Sequence, residues 1–250
     1  KVMTMFSEND SLNKADLQLV RTLAFGARML SLDGHDDFNQ GQVSGRRPGR
    51  NGFFVKTALR GFDEATPADM VWADLLERSM PDPKAPPELP LHEAIYKARP
   101  DVNGIVHSHA PWTLLFGATD MVLRPISHAG ALFMGSTAVF TETSNTVLEA
   151  DLADSIASAL GDGITVFLRN HGSVVVGKSV RHAVVFAQML EHACHLQILA
   201  SQSKAEFHWA SDMDVQAKQE FIFSDLSVRS YWDWSMRRVL REMKDVNDWP

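Results

Sequence analysis

Segments with a helical repeat alternate with short strand-like segments along all 250 residues, and no linker between them is long enough to mark a domain boundary. That alternation predicts one α/β domain over residues 1–250, with 205–250 as an aromatic and basic C-terminal extension. Leu19, Leu23, Ala27 and Leu30 recur at three- and four-residue spacing, predicting a helix over 13–31 that stops before Gly34. Strands are expected at 42–46 and 52–56, around a turn-prone Arg47-Pro48-Gly49-Arg50-Asn51. Thr66-Pro67 reads as a helix start, and the five prolines between Met80 and Pro90 as extended loop. Helices are then expected at 91–98, 111–118, 148–160 and 180–201, and strands at 104–109, 164–169 and 173–176. The stretch 215–245 ends in a basic helix.

Composition removes several partners. Lys and Arg number 24 against 31 Asp and Glu, giving a formal charge of −7, which argues against a nucleic-acid or anionic-membrane surface. No run of about 18 apolar residues is present, so no bilayer-spanning helix is expected. The first ten residues hold no apolar stretch of signal-peptide length, and the single Cys194 cannot close an internal disulfide. A cytoplasmic chain is the expectation.

The chemistry concentrates on histidine. His107-Ser108-His109 ends an apolar strand, and alternation along a strand turns both imidazoles to one side, about 6.5 Å apart at the α-carbons. That spacing suits two ligands of one ion, although a bare His-x-His also occurs as a surface pair; Ile105 and Val106 before it favour a buried strand end. His171, in the turn Leu168-Arg-Asn-His-Gly172, is a third candidate, but periodicity alone does not bring it to the other two. His182, His192 and His195 on the long helix read as core or surface residues, and Cys194 as packing. Trp209, Trp232, Trp234 and Trp249 read as core, interface or tail residues.

Three segments together resemble the class II aldolase/adducin family. They are Glu88-Leu-Pro-Leu-His92 running on to His107-Ser-His109, then Arg169-Asn-His171-Gly-Ser-Val-Val-Val-Gly177, and a weaker Gly41-Gln-Val-Ser44-Gly-Arg46. Their order and spacing extend the likeness over about residues 15 to 200. The resemblance implies a three-layer α/β/α sandwich with a central, largely antiparallel mixed sheet. It also implies one divalent metal ion per subunit, Mn2+ or Zn2+, on His107, His109 and His171, with Glu88 as acid/base residue. Family members are commonly tetramers with sites between chains, where C-terminal residues can reach a neighbour's site. Gln42, Ser44 and Arg46 fall where the family binds substrate. His92 and Tyr96, four apart on one helix face, read as packing and hydrogen-bonding residues, and Glu191 as either a support of the site or half of an ion pair.

The chain departs from the sugar-phosphate members at two points. Pro86 and Pro87 stand where those members place hydroxylated residues, and Gln42 replaces an asparagine. Proline offers neither hydroxyl nor N–H, so a phosphate cradle is lost. Arg46, Arg47 and Arg50 meanwhile cluster near the same segment and suit carboxylates. This profile is similar to the family's decarboxylase branch, the 3-hydroxy-2-methylpyridine-4,5-dicarboxylate decarboxylase type. The expectation is a metal-dependent carbon–carbon lyase that decarboxylates a hydroxylated aromatic or pyridine (di)carboxylate. An aldolase or epimerase on a non-phosphorylated hydroxy-carbonyl compound and a non-enzymatic adducin-like interaction domain are the alternatives.

Overall fold

The computed structural model describes residues 12–76 and 82–249. Asn13 caps the first helix, α1 (Lys14–Leu32), by accepting from the Ala15 and Asp16 amides, and Asp33 closes it with Gly34 at φ +83°. The next elements are β1 (Gln42–Gly45), β2 (Gly52–Lys56), β3 (Met70–Asp74), α2 (Leu89–Ala98), β4 (Gly104–Ser108), α3 (Pro111–Gly117) and α4 (His128–Leu132). They are followed by β5 (Thr137–Phe140), α5 (Ala150–Leu160), β6 (Thr165–Leu168), β7 (Gly172–Gly177), α6 (Val180–Gln202), α7 (Asp212–Ile222) and α8 (Asp225–Glu242).

The strands form one seven-stranded sheet in the order β3-β2-β1-β4-β7-β6-β5. Every neighbouring pair is antiparallel except β5 with β6. Strands β1, β2, β4, β6 and β7 are buried along their whole length, which requires cover on both faces of the sheet. One core joins Val43, Val106 and Val175 of the sheet to α1 and α6, with Val228, Trp232 and Val239 of α8 behind them. The other joins Phe53, Ile105, Val174 and Val176 to α2 and α5. The expected three-layer α/β/α sandwich is the observed one.

Three details differ from the sequence expectation. The helix start at Thr66 is a single 3-10 turn, Pro67–Asp69, that leads directly into β3. Met80 and Pro81 lie outside the described residues, and Pro90, expected in the loop, stands in the first turn of α2, where its missing N–H costs no helical bond. Helix α6 is the one described helix long and apolar enough to cross a membrane, yet 61% of its apolar window is buried within the protein. It is a core helix against the sheet.

Candidate metal centre

The register of the central strands builds the site. His107 lies opposite Gln42 on one side and Val174 on the other, so it shares with Gln42 the sheet face that carries α2. Ser108 faces the opposite layer, where its hydroxyl meets Nδ1 of buried His35 at 2.9 Å. His109 comes one residue after β4, and His171 one residue before β7. The hairpin between β6 and β7 carries Asn170 at φ +58°, a conformation asparagine tolerates better than most residues. A Cβ on Gly172 would stand 2.4 Å from the Ser108 carbonyl oxygen and 2.9 Å from Cδ2 of His109. Only glycine leaves room for the His109 ring there.

Glu88, His107, His109 and His171 each present one ligand atom, and these atoms all lie within 4.8 Å of one another. Both oxygens of Glu88 are engaged. Oε2 lies 3.1 Å from Nε2 of His107 and accepts from Gln42 Nε2 at 3.5 Å, while Oε1 accepts from the Val147 amide at 3.0 Å and lies 3.3 Å from Nε2 of His171. Burial alone would raise the Glu88 carboxyl. The charge and hydrogen bond of His107, joined by hydrogen bonds from His171 and the Val147 amide, outweigh burial and hold it well below the usual carboxylate range.

Two of the imidazoles are held from behind through Nδ1. Nδ1 of His107 lies 3.0 Å from the Ser173 carbonyl oxygen, which can only accept, so Nδ1 carries the proton. Nδ1 of His109 likewise meets Oδ2 of Asp37 at 2.7 Å. Burial followed by the charge of His107 lowers the His109 pKa, against a smaller opposing pull from Asp37. Its Nε2 is buried with no hydrogen-bond partner among the described residues. An orphaned, lone-pair-bearing nitrogen converging with two further imidazoles and a carboxylate fits a divalent ion of zinc or manganese type. His107, His109 and His171 would hold that ion, with Glu88 within reach.

The remaining candidates fall elsewhere. Ser44 is fully buried, and its hydroxyl joins Nδ1 of His92 at 2.7 Å to the Tyr96 hydroxyl at 2.9 Å. It ties β1 to α2, and His92 and Tyr96 are the packing and hydrogen-bonding residues expected. Arg46 requires a correction. It stands beyond the opposite end of β1, where its guanidinium donates to the Val102, Tyr96 and Arg99 carbonyls at 2.9, 3.0 and 2.8 Å. Four residues along an extended strand separate it from Gln42 by about 13 Å, so its fork holds the C-terminal end of α2 and not a substrate. Arg47 is paired with Asp16 at 3.1 Å, and Arg50 lies over the Trp72 ring. Among the described residues Glu191 forms no ion pair but accepts from the Trp112 and Thr113 amides and the Thr113 hydroxyl, fixing the start of α3 just after His109.

His182 bonds Ser179 and Asp225, and His195 stacks on Trp112. Cys194 is buried, and burial pushes its thiol upward. In the extension, Trp232 is core, Trp209 and Trp234 are exposed, and Trp249 packs on Phe25 of its own chain. Asp37 is the residue that the sequence reading missed. The signal available was a run of His35-Asp36-Asp37 directly after a helix stop, which a solvated turn imitates.

Comparison with known proteins decides the family. Residues 21–198 match the family described as the class II aldolase and adducin N-terminal domain. The chain belongs to the class II aldolase/adducin family. Its class II aldolase members are metal-dependent lyases. Within it, the chain is 30% identical over 151 residues to the 4-hydroxy-3-prenylphenylpyruvate oxygenase/4-hydroxy-3-prenylbenzoate synthase of Streptomyces roseochromogenus subsp. oscitans, covering 59% of this chain and 54% of the relative. It is 28% identical over 160 residues to the 3,4-dihydroxyphthalate decarboxylase of Arthrobacter keyseri, covering 62% and 64%. The chain thus spans little more than half the length of the first of these relatives. An aldolase II superfamily protein from Pseudomonas syringae shares the fold at a TM-score of 0.83 and 26% identity, over 96% of this chain and 98% of that one.

Proposed function

We propose that this class II aldolase-family protein is a divalent-metal-dependent carboxy-lyase acting on a hydroxylated aromatic or pyridine (di)carboxylate. The observation that carries the reading is the Pro86-Pro87 pair immediately before Glu88. It leaves the rim beside the cluster without the hydroxyl and amide donors that a dianionic phosphate needs. The relative that acts on 3,4-dihydroxyphthalate, by its name an aromatic dicarboxylate with a neighbouring hydroxyl, supports the same substrate class. Because Arg46 is spent on α2, substrate recognition in this reading rests on chelation at the cluster and on Gln42.

A bound Mn2+ or Zn2+ supplies Lewis-acid stabilisation of the electron pair left on the ring when CO2 departs. The chain's own groups do the rest. Glu88, held as a carboxylate, takes the proton of the substrate's ring hydroxyl. The bond to the carboxyl group breaks, CO2 leaves, and Glu88 returns its proton to the ring carbon, so that the proton count closes with the product as its oxyanion. Gln42 steadies Oε2 of Glu88 through its side-chain amide, and the Val147 amide steadies Oε1. In this reading the chain works as one domain in a cytoplasmic homo-oligomer, a tetramer, with its sites between subunits.

The test pairs metal analysis of the purified protein with a screen for CO2 release from hydroxylated aromatic and pyridine dicarboxylates. Fuculose and ribulose phosphates, followed by aldehyde release, serve as the comparison. The reading expects about one metal ion per chain, CO2 from at least one hydroxyaryl acid and no cleavage of sugar phosphates. Aldehyde release with no CO2 would assign an aldolase instead, and a protein that binds no divalent metal would leave the adducin-like alternative.

A further inference from the structure

The turn that follows α1 is tied down far more heavily than a surface connection requires. Arg238 of α8 and Gln188 of α6 both donate to the Asp33 carboxylate at its start, and Arg238 also caps the Leu32 carbonyl at 2.7 Å. His35 is fully buried against Ser108 of β4. Lys56, fully buried in β2, donates to the Asn39 carbonyl at 3.2 Å as well as to the Thr57 and Arg60 carbonyls. Between these anchors Phe38 adopts φ +53° and is 86% exposed. A left-handed aromatic residue that packs against almost nothing gains no burial to offset its backbone strain, so the conformation is imposed by its neighbours. What it achieves is the placement of Asp37, whose Oδ2 meets Nδ1 of His109 at 2.7 Å.

We infer that Asp37 is a positioning residue of the metal centre: through the Nδ1–H of His109 it fixes the tautomer and aim of that imidazole, so that Nε2 faces the cluster. The inference rests on the metal reading above and adds a residue outside the aligned motifs. The buried, unpartnered Nε2 is the second half of the observation. With its rear nitrogen protonated and held by a carboxylate, the neutral ring presents its lone pair at the front. His107 receives the equivalent support from a backbone carbonyl, so Asp37 is the one of these two supports that a side-chain substitution can remove. Loss of a carboxylate behind a ligating histidine commonly weakens metal binding by about 10- to 100-fold.

The experiment uses metal-stripped and reloaded full-length protein with Asp37→Ala and Asp37→Asn variants. Zn2+ and Mn2+ dissociation constants are measured by chelator competition, and the 15N shifts of His109 are read in the metal-free state. We expect a single Nδ1–H tautomer in the parent and a mixture in Asp37→Ala, with metal affinity lower by about 10-fold or more and an unchanged melting temperature of the stripped protein. Asp37→Asn keeps an acceptor without the charge and should fall between the two. It carries the comparison should the alanine variant not fold. Parent-like affinity and a single tautomer in the variants would overturn the role of Asp37 alone. A parent protein that binds neither ion would overturn the metal reading and this role with it.

Discussion

Glu88 is the residue whose environment is most specific, because two imidazoles, an amide and a carboxamide all address one carboxylate. Glu88→Gln keeps the size and the hydrogen-bonding reach but cannot take and return a proton. Turnover should therefore fall by about 100-fold or more, the scale of acid/base assistance, with metal content retained; steady-state kinetics beside metal analysis checks both halves. Arg46 makes the contrasting case. Its bonds to the Tyr96 and Arg99 carbonyls at the end of α2, and to the Val102 carbonyl in the turn that follows, place a cation at the negative end of a helix. Arg46→Met should cost about 2–3 kcal/mol, lowering the melting temperature by about 5–10 °C, and leave metal affinity unchanged. A raised KM with unaltered stability would restore it to the substrate site. The sequence made His107, His109, His171 and Glu88 legible because their spacing and neighbours form a motif. It misplaced Arg46 because spacing does not say toward which end of a strand pair a side chain is spent. It hid Asp37 because an aspartate after a helix stop is the commonest of turn residues.

Strands β4 and β7 are the elements on which the cluster depends, since one ends just before His109 and the other begins just after His171. They meet tightly at Gly172, where any side chain would press on the Ser108 carbonyl and the His109 ring. Backbone cannot yield there as the end of a flexible side chain can. Gly172→Ala should push β4 and β7 apart at their ends, lower the melting temperature and lose metal, whereas the same change at the uncrowded Gly49, strained only by its φ of +77°, should lower stability but leave metal bound. Thermal melts with metal analysis separate the two variants. The long helices α1, α5 and α6 were readable because each repeats apolar residues over several turns. Strand β3, helix α4 and edge strand β5 were not, for different reasons. β3 follows a cap-and-proline signal that supports one 3-10 turn and no more. α4 spans five residues, too short for a period, and β5 has two exposed residues, one half-buried and only Phe140 buried, so no two-residue alternation stands out.

At the scale of the whole molecule, two buried histidines on opposite faces of the sheet tie stability to pH. His35 lies in the layer of α1, and burial lowers its pKa to about 4 against a smaller opposing pull from Asp33. His92 lies in the layer of α2, where burial and then the charge of His107 lower it to about 3, with Glu88 opposing. Each is neutral in the folded chain down to those values but takes a proton near pH 6.5 once unfolded. The unfolded state therefore binds more protons throughout the interval, and stability must fall as pH drops from about 6.5 toward 4. The slope is about 1.4 kcal/mol per pH unit for each histidine well inside that interval. Buried carboxylates such as Glu88 add their loss only lower, below about pH 4.5, where the unfolded carboxyl is protonated. Denaturant unfolding of metal-stripped protein at pH 7, 6 and 5 reads the histidine part by itself. His35→Asn keeps a partner for Ser108 while removing one titrating group, so its stability should decline less steeply over that range by about 1 kcal/mol per unit. Parallel curves for the parent and the variant would show that His35 is not held neutral in the fold, and that the contact between the turn after α1 and the back of β4 tolerates a charge.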